Sequence, residues 1–362
     1  MITGLGSVEG LVSEKKGAFY NTLEEFHKYW ERIDIISPKV KSQKSDVKCL
    51  FGNVYIHVSR WPLLLHPIWF LKKGIEIYQK QKFDLMTVHE YPPFYNGIGA
   101  RLLWQRIRVP YILEIFHIPG YPEFSNPKEF IYRYLVKIFI SYDASRAKMV
   151  RVMNTDVGNF LELSGILKSK LVLIPAIYVD LEVFKPMVLS KEYDLIFIGR
   201  LESNKGVDLF IETVKKLNCK AIIVGQGSLY NKIKSDIKGY KLNVVIHGFA
   251  QDSREISELL NKSKILVMPS YNEGGPRVVV EAMACGVPVL ATPVGIVPEL
   301  LKNDSGGEII AWDAKDIVQK AEGLLGDSDR YNKLSNMAVE MAKPFERKVA
   351  IENYARQIQK LI

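Results

Sequence analysis

The sequence holds only three cysteines, Cys49, Cys219 and Cys285, far apart and with no CxxC pair. A disulfide scaffold and a zinc ribbon are thereby excluded, and a reducing compartment fits. There is no run of about 18 apolar residues of the kind that spans a membrane. The most apolar stretch, Trp61 to Leu71, is short and is broken by Pro62, His66 and Pro67. The chain therefore reads as soluble, or as lying on a membrane without crossing it. The opening MITGLGSVEG lacks the basic and apolar segments of a secretory signal. HExxH, GxSxG, Walker A, DxD and His/Cys metal spacings are absent, and no nucleic-acid-binding module is visible.

What is present is the composition of a globular protein: 48% hydrophobic and 25% charged residues exclude disorder and low complexity. At 362 residues the chain exceeds what one core usually serves, so two domains are expected. The net charge of +9 is compatible with nucleic acid, an anionic membrane surface or a phosphorylated small molecule as partner. That charge is uneven. Residues 1–190 carry 25 Lys/Arg against 18 Asp/Glu, and residues 191–362 carry 24 against 22. Four of the five tryptophans also lie in the first part. The excess charge thus belongs to an aromatic-rich first half.

The second half alternates strands and helices. Strands are expected at Tyr193–Gly199, Ala221–Val224, Val244–His247, Ile265–Met268 and Val289–Ala291. Helices are expected at Val207–Leu217, Leu229–Ile237, Glu255–Leu260, Pro276–Ala284 and Pro298–Leu301. This is the pattern of a parallel sheet covered on both faces, whose ligands bind beyond the carboxyl ends of the strands. The first half suggests a helix near Tyr20–Trp30 and strands at Ile33–Ile36, Leu85–Val88, Tyr111–Phe116 and Leu171–Ile174. Lys185–Glu192 reads as a linker and Pro344–Ile362 as a final amphipathic helix.

Two segments carry chemistry. In Gly199-Arg200-Leu201-Glu202-Ser203-Asn204-Lys205-Gly206, a strand end leads through two cations into a helix N-terminus. Unpaired N–H groups, the helix dipole, an Arg fork and a Lys point charge together suit an anion such as a phosphate. In Glu273-Gly274-Gly275-Pro276-Arg277, two glycines precede a helix that carries Glu281 in an apolar setting. The glycines let backbone approach a ligand, and carboxylates are natural acceptors for vicinal hydroxyls. Glycine loops at Gly4-Leu5-Gly6 and Gly225-Gln226-Gly227 are weaker signals, short of a full dinucleotide fingerprint. His117 ends an expected strand, where site residues gather.

These residues resemble glycosyltransferase family four. The resemblance lies in GR-x4-KG at Gly199–Gly206, the GxG at Gly225–Gly227, PSYNEG at Pro269–Gly274 and EGGPRVVVEAMACGVPVLAT at Glu273–Thr292. It extends more loosely through VHEYP at Val88, ILEIFH before Ile118 and VDLEVFKP ending at Pro186. It implies a retaining, nucleotide-sugar-dependent enzyme of the GT-B fold: α/β, two Rossmann-like domains facing across a cleft, with a C-terminal helix crossing back to the first. The implied domains are 1–186 for the acceptor, 187–343 for the donor and 344–362 for the crossover helix. Arg200 and Lys205 would hold the donor diphosphate, Glu281 the ribose and Glu273 the sugar, helped by amides near Gly275, with Gly274 and Pro276 also in the donor site. His117 would line the reaction centre. Gly4 and Gly6 would approach sugar and phosphates, and Gly225 and Gly227 would join the donor site. Only Met1-Ile2-Thr3 precede the first glycine loop where the family has a full strand, which leaves either a short strand or missing residues.

The expected reaction moves a sugar from a UDP- or GDP-sugar to a hydroxyl acceptor. No cofactor or metal is expected, because two cations and a helix N-terminus can stabilise the departing diphosphate. Basic and aromatic residues at Arg60-Trp61, at Trp69 to Lys73, and at Arg101, Arg106 and Arg108 around Trp104 suit an anionic membrane surface. They point to a lipid-linked acceptor and a place in the cytoplasm, at the inner face of the membrane. Two other readings stay open: a sugar-nucleotide 2-epimerase of the same fold, and a protein that binds nucleotide sugars without transfer.

Overall fold

The computed structural model describes residues 8, 11, 18–39, 47–90, 94–124 and 126–362. Gly4 and Gly6 lie outside the described residues. The chain divides into two compact units. One comprises residues 1–116, 132–175 and 351–362; the other comprises 117–131 and 176–350.

In the first unit, β1 (Ile33–Ser37) pairs in parallel with β3 (Val54–Val58), and β2 (Val47–Leu50) runs antiparallel on the far side of β3. A second run is all parallel: β4 (Met86–Glu90), β5 (Tyr111–Ile115), β6 (Met149–Val152) and β7 (Leu171–Leu173), in that order. β5 and β6 are buried throughout, as strands covered on both faces are. Within β5 and β6 a charge is nevertheless buried: Glu114 accepts from Arg151 at 2.6 Å and from the Tyr354 hydroxyl at 2.7 Å. Arg151 also lies 3.7 Å from the Tyr354 ring centroid and donates to the Ile174 and Pro175 carbonyls. Every partner of this buried charge is thereby supplied, as such a group requires.

Tyr354 stands on the final helix, Arg347–Gln359, and also stacks on Phe26 at 5.1 Å. The last twelve residues thus belong to the first unit although the chain reaches them from the second. The Lys185–Glu192 segment, which reads as a linker, lies inside the second unit. Met187 N–H donates to Asn261, Asn261 donates to the Lys185 carbonyl, and Lys191 donates to the Ser263 carbonyl. Pro186 and its flanking charges signal an irregular segment, but side-chain tethers fix it in place. Residues 117–131 also join the second unit, which brings His117 there.

The second unit is one parallel sheet of β8 (Tyr193–Ile198), β9 (Ala221–Val224), β10 (Val244–Gly248), β11 (Ser263–Met268), β12 (Val289–Ala291) and β13 (Gly307–Ile309). Its order is β10-β9-β8-β11-β12-β13, the doubly wound arrangement that reverses direction between β8 and β11. Successive residues face opposite layers: Leu195 and Phe197 enter one core, Ile196 the other. The helix Val207–Leu217 buries Val207, Phe210, Ile211 and Val214 at helical spacing, with Asp208 in its first turn and Lys215 and Lys216 in its last. The helix expected to begin at Pro276 begins one residue later, at Arg277. Pro276 has an extended ψ of 99° and acts as the cap.

Candidate active site

Loops leaving the carboxyl ends of β8 and β11 flank the point where the strand order reverses, the place where open α/β sheets bind ligands. The β8 loop carries Arg200 and Lys205, and the β11 loop carries Ser270 to Pro276. Lys205 forms a close ion pair with Glu273, and the same carboxylate oxygen accepts from the Ser270 hydroxyl at 3.1 Å. The two loops are also sewn together by Tyr271 N–H donating to the Asn204 carbonyl at 2.9 Å. Ser270 is fixed in turn, since its carbonyl accepts from Thr292 and from the Trp312 indole N–H.

Glycines allow this close approach. Gly206 has φ +66°, and a Cβ there would strike the Pro269 carbonyl oxygen. Gly225, with φ +149°, abuts the Gly199 carbonyl, and Gly227 abuts the Leu201 backbone. The Gly225–Gly227 loop therefore packs directly on the β8 loop, and Leu201 N–H donates to the Gln226 carbonyl at 2.9 Å. Gly275 lies against Ile177, and the Gly274 carbonyl lies against Gly295.

Glu273 and Glu281 have different surroundings. Glu281 is largely buried on the Arg277–Ala284 helix, where Arg277 reaches it at 3.8 Å and stacks over Tyr178 at 4.8 Å. Burial raises the Glu281 carboxyl above its ordinary value, and Arg277 only partly offsets this. Such a carboxylate is short of partners and suited to accepting hydrogen bonds from a ligand. Arg200 is exposed, and its charge acts on Glu202 and His117.

His117 belongs with these groups electrostatically. Its imidazole is accessible to solvent but surrounded by protein, and desolvation pushes it below the ordinary histidine value. Glu273 and Glu129 oppose that shift; Lys205 and Arg200 reinforce it. The lowered value favours the neutral imidazole, which can accept or donate a hydrogen bond without adding charge. Sequence reasoning missed Ser270, Tyr178 and the pair Asn272–Glu129, in which the amide donates at 3.1 Å. Ser270 and Asn272 do stand in the PSYNEG motif, but Glu129 and Tyr178 carried no local signal. Among the described residues, no group of three or more His, Cys, Asp or Glu side chains is arranged to hold a metal ion.

Residues 180–341 match the family of glycosyl transferases group 1. The chain is 25% identical over 302 residues to an uncharacterised glycosyltransferase of Methanocaldococcus jannaschii, covering 82% of each. It is also 25% identical over 256 residues to the N,N'-diacetylbacillosaminyl-diphospho-undecaprenol alpha-1,3-N-acetylgalactosaminyltransferase of Campylobacter jejuni, covering 66% of each. The structure of Anabaena HepE in complex with UDP and glucose superposes with a TM-score of 0.76 at 15% identity, covering 99% of this chain and 98% of that one. The chain is thus a transferase with the GT-B fold, and its likeness to the glycosyl transferases group 1 family lies in residues 180–341.

Proposed function

We propose that this enzyme transfers a sugar from a UDP- or GDP-sugar to a hydroxyl acceptor, with retention of anomeric configuration and without a metal. The observation that carries the reading is the meeting of Lys205, Glu273 and the field on His117 at the sheet's reversal point. A diphosphate arriving beside Arg200 draws Lys205 away from Glu273. The freed carboxylate then accepts from the sugar hydroxyls while Lys205 neutralises phosphate. Glu281 takes the ribose hydroxyls, and the amides of Gly274 and Gly275 approach the sugar. As the anomeric carbon–oxygen bond breaks, charge grows on the departing diphosphate, where Arg200 and Lys205 stabilise it most. The acceptor oxygen attacks on the same face, and its proton passes to the departing diphosphate oxygen. The UDP and glucose held by HepE support the donor class.

The diphospho-undecaprenol in the name of the Campylobacter relative supports a lipid-linked acceptor. We place that acceptor at the cytoplasmic membrane face; among the described residues no helix is long and apolar enough to cross a membrane.

A panel of UDP- and GDP-sugars, each incubated without acceptor, tests the reading. Slow release of nucleotide from one donor is expected, unchanged by EDTA and reduced by about 100-fold or more in Lys205→Ala. An epimerised sugar, or no release from any donor, would overturn it.

A further inference from the structure

The helix Pro127–Ala144 has a partly filled inner face and an outer face with no role in the core. Inward, Val136 and Ile140 are buried and Phe139 stacks on Phe94 at 5.4 Å. Outward, Tyr134 is 64% exposed, Ile138 52% and Tyr142 44%, at intervals of four residues that place them on one stripe. Tyr132 is exposed beside the stripe. Soluble proteins rarely leave an apolar row of this length uncovered.

Its surroundings are cationic. Residues 132–148 contain Arg133, Lys137, Arg146 and Lys148 against one acid, Asp143, which is completely buried. At the end of the stripe, Arg101 lies 4.0 Å over the Tyr142 ring and donates to the Tyr142 carbonyl at 2.5 Å. Arg108 and Arg146 lie 4.6 and 5.6 Å from the Trp104 ring centroid. An apolar row of tyrosines and isoleucine thus runs into a cluster of arginines held by aromatic faces.

We propose that this surface docks on an anionic lipid bilayer, with the stripe entering the headgroup boundary and the arginines meeting lipid phosphates. Tyrosine suits that boundary because its ring is apolar and its hydroxyl polar. A helix lying in the interface with basic residues beside its apolar face binds in this way. Self-pairing is disfavoured, since a two-fold contact would set like-charged surfaces together. The inference deepens the acceptor side of the proposed transfer and rests on it only for the purpose of the contact.

Co-sedimentation of the full chain with phosphatidylcholine vesicles, with and without phosphatidylglycerol, tests it. Binding to the anionic vesicles alone is expected, weakened about thirtyfold in Arg108→Ser/Arg146→Ser, and at least as much in Tyr134→Ser/Ile138→Ser. Acceptor-independent donor hydrolysis should be unchanged in both variants. No sedimentation at low salt, or variants that bind as wild type does, would overturn the proposal. So would a solution dimer that Tyr134→Ser/Ile138→Ser converts to monomer. Vesicle binding by a protein that hydrolyses no donor would leave the surface standing and sink the transfer reading instead.

Discussion

Single side chains show how each unit balances its buried charge. Burial alone would raise the Asp34 carboxyl, but hydrogen bonds from His57 at 2.8 Å and from Arg32 outweigh this and bring it to about 2. A carboxyl held below its unfolded value of 3.8 contributes stability that is present above that pH and fades as pH falls toward about 2. Asp34→Asn should therefore cost about 2 kcal/mol at neutral pH, a deficit that shrinks in denaturant titrations below about pH 4. Glu281 has the opposite sign. Its raised value means the native state holds a proton more readily, so its burial weakens stability as pH rises above 4.5. Glu281→Gln should flatten that fall while impairing donor binding. A thermal-melt series against pH, with and without nucleotide, separates the two effects. The candidate cations and carboxylates themselves were legible in the sequence. The contact between Lys205 and Glu273 was not, because 68 residues separate them and only the sheet order brings their loops together.

At the scale of elements, the β8 loop depends on glycine. Gly206→Ala introduces a Cβ at positive φ against the Pro269 carbonyl, and about 2–4 kcal/mol of stability should be lost. Gly239→Ala, at an exposed helix end with no atom nearby, should change stability by less than about 0.5 kcal/mol. Urea midpoints of the two variants make the comparison. Five strands of the second unit were readable because parallel strands buried on both faces are unbroken apolar runs, whereas β13, Gly-Glu-Ile, has no such run and was not expected. Ala221–Val224 and Val289–Ala291 fall where that pattern puts them. β6 escaped notice because Arg151 stands in its centre, and its compensation by Glu114 and Tyr354 is invisible locally. β2 is a partly exposed antiparallel strand with no apolar run. The helix Pro127–Ala144 is apolar nearly all round, so periodicity gave it no face.

For the whole molecule, the chain leaves the first unit after Pro175 and returns to it at Ile351, and Arg151 contacts both ends of that excursion. Tyr354→Phe removes the hydroxyl that Glu114 accepts from and should destabilise the first unit by about 2 kcal/mol. Limited proteolysis should then release fragments of residues 18–116 before those of 176–350. Two domains were expected from length alone. Their division at Pro175, and the membership of residues 117–131 in the second unit, rest on tethers that composition does not reveal.

Transfer from a nucleotide sugar requires that Arg200 and Lys205 hold a nucleoside diphosphate at the reversal point of the second sheet. Calorimetric titration of UDP and GDP into wild type, Arg200→Ala and Lys205→Ala measures this directly. One nucleotide should bind wild type and lose about tenfold or more in affinity in each variant, with folding intact by circular dichroism. Equal affinity in all three proteins would contradict the account.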